Sequence, residues 1–82
     1  MITMLRYIDV KKTGERINKL RCNKNISIKE LAYYLGDISK QAIYRWESGF
    51  SLPSIENLAR MSEIFELSMD DIVVKCSNKE GE

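Results

Sequence analysis

Between Ser27 and Gly49 the apolar and polar positions fall into two short helical periods separated by a turn. Leu31, Ala32 and Leu35 recur at three-and-four spacing, the mark of a helix with one inward face. Ser27 precedes them with Glu30 three positions on, a pair that can satisfy two early N–H groups reciprocally. Gly36 stands where a left-handed residue can end the helix. The pattern therefore predicts a helix from Ser27 to Leu35, a turn at Asp37-Ile38, and a second helix capped by Ser39 and stopped at Gly49. In the second helix, Lys40, Tyr44, Ser48, Gln41 and Arg45 share an arc of roughly 140°, with Ala42, Trp46 and Ile43 opposite them. One face is apolar and the other carries hydrogen-bonding groups.

The same periodicity sets out the remaining chain. A first helix is predicted from Asp9 or Thr13 to about Asn23, with Ile17 and Leu20 inward and Asn23-Lys24-Asn25 as its polar exit. Ser54, preceded by Pro53, caps a fourth helix whose inner face is read as Ile55, Leu58, Ala59, Ser62 and Phe65. A last helix runs from Ser68 to about Lys75, with Asp70 and Asp71 at its positive end and Met69, Ile72 and Val73 inward. Residues 1–12 form an N-terminal extension, residues 13–75 the domain, and residues 76–82 a polar tail. Residues 1–10 are open between a strand, an arm and a helical extension, and between packing on the domain, joining a dimer and reaching a ligand.

Composition narrows the function. A chain of 82 residues commits most of its apolar groups to one core and leaves little room for an enclosed active site. It contains no histidine, and Cys22 and Cys76 form no CxxC pair, so free thiols are expected and neither a metal site nor a cofactor is. Without a phosphate-cradling glycine loop or an acid pair, an enzyme is not expected. No apolar stretch is long enough to span a membrane and no secretory leader is evident, which points to the cytoplasm. The net charge of +1 hides an asymmetry. Residues 1–50 hold ten basic and five acidic groups, net +5; residues 51–82 hold three and seven, net −4. Positive potential thus gathers on the half containing the two central helices, where it would attract phosphate.

Two short helices across a glycine turn, the second with Lys, Gln, Tyr and Arg on its outer face, suit a reader of the DNA major groove. The blocks GERINKLR, SIKELAYYLG, SKQAIYRWESG, LPSIENLARMSEIF and SMDDIV resemble, in order and at near-family spacing, the phage-repressor and Cro-like (XRE-type) helix-turn-helix family. The resemblance implies an all-α, five-helix lambda-repressor-like DNA-binding domain with a central helix-turn-helix. It also implies that Arg21 pairs with Glu47, tying the first helix to the end of the third; Ile43 and Trp46, on the arc opposite the polar face, are expected in the core.

Chemistry and alignment together assign the base contacts. Lys40 donates to guanine, Gln41 donates to and accepts from adenine, Arg45 reads guanine or holds phosphate, and Tyr44 offers its ring to a thymine methyl or its hydroxyl to phosphate. Phosphate contacts are expected from Ser27, Lys29, Ser39 and Ser48. The chain departs from the family at three places. Ile28 stands where a phosphate-bonding glutamine is usual, and Phe50 where a lysine is. The turn at Asp37-Ile38 carries one extra residue, which would shift or tilt the recognition helix.

The expected function is a sequence-specific double-stranded DNA-binding regulator, a repressor acting as a homodimer on a palindromic operator. The dimer contact is open among the last helix, the N-terminal segment and Phe50, which either packs in part or meets another subunit. The alternative is a protein-interaction module on the same fold, antitoxin-like or accessory, with a protein partner.

Overall fold

Each helix begins at a residue whose side chain accepts the backbone N–H three positions on: Asp9, Ser27, Ser39, Ser54 and Ser68. These caps satisfy donors that the first helical turn leaves unpaired, so a helix start is encoded by one short polar side chain. The computed structural model describes residues 7–76. It contains α1 (Val10–Asn23), α2 (Ile28–Tyr34), α3 (Lys40–Glu47), α4 (Ile55–Phe65) and α5 (Met69–Ile72). Of the two starts expected for α1, the chain uses Asp9, and the helix runs through the division between residues 12 and 13. The expectations for residues 1–6 and for the tail beyond Cys76 lie outside the described residues.

The helices close around Ile17, Leu31, Ala32, Leu35, Ile43, Trp46, Met61, Phe65 and Ile72. At α2 both halves of the reciprocal cap form, Glu30 N–H to Ser27 Oγ at 3.0 Å and Ser27 N–H to Glu30 Oε1 at 2.9 Å. The extra turn residue is absorbed by backbone. Gly36 and Asp37 take successive positive φ values of 95° and 64°, the second a conformation that aspartate tolerates better than most. The Ile38 N–H then closes onto the Ala32 carbonyl at 3.1 Å, and Ile38 packs against the core while Asp37 stays in solvent. The turn thus leaves Asp37 at the surface and returns Ile38 to the core.

Two expectations are corrected. The inner face of α4 is Leu58, Met61 and Phe65, with Ser62 at its edge; Met61 is fully buried, whereas Ile55 is 73% exposed and Ala59 faces solvent. Ile55 sits in the first turn, beyond the reach of the core that the later turns cover. The last helix ends at Ile72 rather than near Lys75, and Met69 is 39% exposed. Val73 to Cys76 run extended because they find a partner: Asp9 N–H donates to the Val74 carbonyl and Cys76 N–H to the Tyr7 carbonyl, both at 2.8 Å. The buried Thr13 Oγ1 accepts the Val74 N–H at 2.9 Å. Consecutive β-branched valines favour that extended path over another helical turn.

Candidate nucleic-acid interface

Helix α3 is held rigidly from behind. Ile43 is fully buried and Trp46 is 6% exposed. Gly14 of α1 presses against the α3 backbone, and a Cβ there would collide with the Trp46 carbonyl oxygen. Glycine in mid-helix costs about 1 kcal/mol relative to alanine, but here it permits a helix crossing that no larger residue fits.

The far end of α3 is tied to α1 by Glu47. Arg21 grips its carboxylate in a fork, Nε to Oε2 at 2.8 Å and Nη2 to Oε1 at 3.1 Å. Asn18 Nδ2 adds a bond to Oε1 at 2.9 Å, and Arg21 Nη1 reaches the Ile26 carbonyl at 2.9 Å. Both charged side chains are largely withdrawn from solvent, at 12% and 10% exposure. The hydrogen bond to Glu47 and its charge raise the Arg21 pKa above the ordinary value, outweighing the opposing effect of burial. The guanidinium is therefore a permanent cation committed to structure, with its donors turned inward.

The opposite face of α3 is free. Lys40, Gln41, Tyr44 and Arg45 are all exposed, Tyr44 at 55%, and none of their side chains makes a hydrogen bond among the described residues. Polar groups with no protein partner on a rigid, exposed helix are available to an external ligand. Ser39 Oγ is occupied as an acceptor by the Ala42 N–H at 3.2 Å, and Ser27 Oγ by Glu30, so each retains a hydroxyl proton to donate outward. Ser48 instead donates its hydroxyl to the Arg45 carbonyl at 3.2 Å, which leaves it only acceptor capacity. Lys29 is exposed beside the α2 N-terminus, while Ile28 is half-buried against the core.

Phe50 does not pack in part. It is 78% exposed, and Leu52 and Ile55 beside it are 39% and 73% exposed. Two framework residues escape a reading of the sequence, Asn18 and Gly14. The only local signal for the second is a glycine inside a helical period; the bond from Asn18 to Glu47 spans 29 residues and has no local signal.

Comparison with known proteins agrees with this geometry. A family model described as helix-turn-helix matches residues 17–72. The chain is 36% identical over 60 residues to the HTH-type transcriptional activator BcrR of Enterococcus faecalis, covering 73% of this chain and 29% of that protein. It is 33% identical over 66 residues to the HTH-type transcriptional regulator AnsR of Bacillus subtilis (strain 168), covering 80% and 56%. It thus spans only part of the curated relatives it matches. Among solved structures, the P22 c2 repressor in complex with a synthetic operator superposes with a TM-score of 0.68 at 33% identity, covering 73% of this chain and 89% of that one. With its five helices, its central α2-turn-α3 unit and the match across most of its length, the chain belongs to the phage-repressor and Cro-like (XRE-type) helix-turn-helix family of DNA-binding transcription regulators.

Proposed function

We propose that the chain is a sequence-specific double-stranded DNA-binding regulator that works as a homodimer on a palindromic operator and represses transcription by occupying it. The observation that carries this reading is the division of α3, whose inner face is locked by Ile43, Trp46 and Glu47 while Lys40, Gln41, Tyr44 and Arg45 project without partners. Such a helix can enter the major groove without rearrangement, with Lys40 and Gln41 leading at its N-terminal end and Arg45 and Tyr44 one turn behind. Ser27, Lys29 and Ser39 supply sequence-independent grip on the flanking phosphates. One domain reads only a few base pairs, so two copies about 34 Å apart supply the specificity that a genome requires.

Regulation of either sign starts with the same contact; the relatives include one named activator and one named repressor. Repression follows where the operator overlaps the promoter. The test is selection from a random duplex pool by the wild type and by the double variant Gln41→Ala, Arg45→Ala. Enrichment of a palindrome that disappears in the variant is the expected result; equal, weak and unselective binding by both overturns it. The solvent-exposed Phe50 and the apolar Ile28, where phosphate-binding side chains are usual in the family, favour a second reading as a protein-interaction module. That reading gains if the selection returns no sequence.

A further inference from the structure

Helix α3 has eight residues, a length of about 12 Å, and the DNA major groove is about 12 Å wide. Both ends of the helix therefore come near a phosphate backbone when it lies in the groove. The two ends are equipped differently. At the N-terminal end stand Ser39, with a hydroxyl proton to donate, and the cation Lys40. At the C-terminal end the following segment supplies no cation: Ser48 to Ile55, SGFSLPSI, is the longest stretch without a charged residue in a sequence that is 30% charged. The Gly49 and Phe50 N–H groups are committed to the Trp46 and Arg45 carbonyls, at 3.0 and 2.8 Å, and the Ser48 hydroxyl to the Arg45 carbonyl at 3.2 Å.

A cation reaches that end from α1. Gly49 has a φ of 81°, and a Cβ there would stand 2.9 Å from Lys11 Cα, 3.2 Å from its Cβ and 3.3 Å from its Cγ. The backbone leaving α3 thus lies directly on the stem of Lys11, in the first turn of α1. Three positions on, Gly14 presses on the Trp46 carbonyl, so the placement is fixed by two backbone contacts between the helices. Lys11 is exposed, and its ammonium makes no ion pair or hydrogen bond among the described residues. A lysine in the first turn also faces the positive end of its own helix dipole, so the stability of α1 does not account for it. We propose that Lys11 holds the DNA phosphate at the C-terminal end of α3, a contact supplied from outside the helix-turn-helix; the inference deepens, and rests on, the reading of the chain as a DNA-binding regulator. The stem packs on Gly49 while the ammonium stays in solvent, free to donate to a phosphate oxygen as a charge-assisted bond. Such a contact carries no base preference and sets register instead. Because Gly14 and Gly49 join α1 to α3 at backbone level, Lys11 keeps a constant offset from Gln41 and Arg45, and the phosphate it grips fixes how far α3 slides along the groove.

The test compares Lys11→Ala, Lys11→Arg and Lys12→Ala in the full chain. Lys12 is the adjacent residue and equally exposed, but it lines a hollow with Glu15, Arg16, Lys19 and Val74 on another face of α1. Removing either lysine lowers the net charge by the same amount, so only a direct contact separates the two. Affinity for the duplex enriched from the random pool is measured against salt concentration. Lys11→Ala should reduce the slope of log affinity against log salt by about 0.9 for each bound chain and weaken binding to an unrelated duplex by the same factor. Lys11→Arg should keep the wild-type slope, and Lys12→Ala should leave it nearly unchanged. Each phosphate of the duplex is then replaced in turn by an uncharged methylphosphonate: one position for each bound chain should weaken the wild type and leave Lys11→Ala unaffected. Equal slopes in Lys11→Ala and Lys12→Ala, or the same phosphate profile in wild type and Lys11→Ala, overturn the proposal while the enriched duplex keeps the DNA reading intact. A lowered urea midpoint with an unchanged slope in Lys11→Ala also overturns it, making Lys11 a counter-charge to the carbonyl end of α3. A wild type that enriches no duplex and binds without salt dependence sinks the DNA reading, and this contact with it.

Discussion

The two faces of α3 differ in what holds them. The inner face is over-determined: Ile43 and Trp46 are buried, Glu47 accepts from Arg21 and Asn18, and α1 presses in through Gly14. The outer face, Lys40, Gln41, Tyr44 and Arg45, is exposed and makes no side-chain hydrogen bond among the described residues. Substitutions behind the helix should therefore be read in stability, and substitutions in front of it in binding.

The largest effect is expected from Trp46→Ala, which removes the biggest buried side chain of α3 and should cost about 3–5 kcal/mol, measured by urea unfolding. Glu47→Ala leaves Arg21 as a largely buried cation without its carboxylate partner and should cost up to about 3 kcal/mol, discounted from a fully buried pair for the residual exposure; Arg21→Ala in the same background should then cost little more. That non-additivity is the signature of one shared contact. Gly14→Ala forces α1 off the Trp46 carbonyl and should cost about 1–3 kcal/mol. It should also weaken operator binding without touching a DNA-facing group, which is the one place where the two faces are expected to couple.

Gln41→Ala and Arg45→Ala should leave the unfolding midpoint within about 0.5 kcal/mol of wild type. Each should lower discrimination at its own base pair by about 1–3 kcal/mol, measured by titration against single-base operator variants. If either destabilises the fold by more than it weakens discrimination, the face has been misread. The smallest effect belongs to Lys29→Ala, which should weaken binding to all sequences alike and reduce the slope of log affinity against log salt by about 0.9.

Local chemistry was legible. Ser27, Ser39 and Ser54, caps by their place in the pattern, are caps in the fold, and Gly36 and Gly49 close their helices, because a cap is settled within three or four residues of backbone. The all-helical character followed from helical periodicity, and the lambda-repressor-like arrangement of the five helices from the resemblance carried by the sequence blocks. The inner face of α4 was not legible: Ile55 and Met61 are both apolar and both lie near the edge of the inward arc, and periodicity alone cannot say which one the core reaches. The Arg21–Glu47 pair came from resemblance, and Asn18 joined it only in three dimensions.

The sequence by itself determined where α2 and α3 start and stop, which arc of α3 is polar, and that most of the basic groups lie in the first half of the chain. Each of these depends on neighbours a few positions apart. Tertiary structure alone decided that the chain leaves its helical path after Ile72 to pair Val74 with Asp9, and that Thr13 is buried to serve that pairing. It alone decided that Phe50 and Ile55 stay uncovered. Those outcomes depend on which surfaces more than sixty positions apart meet, and on which apolar residues are left over once the core is full.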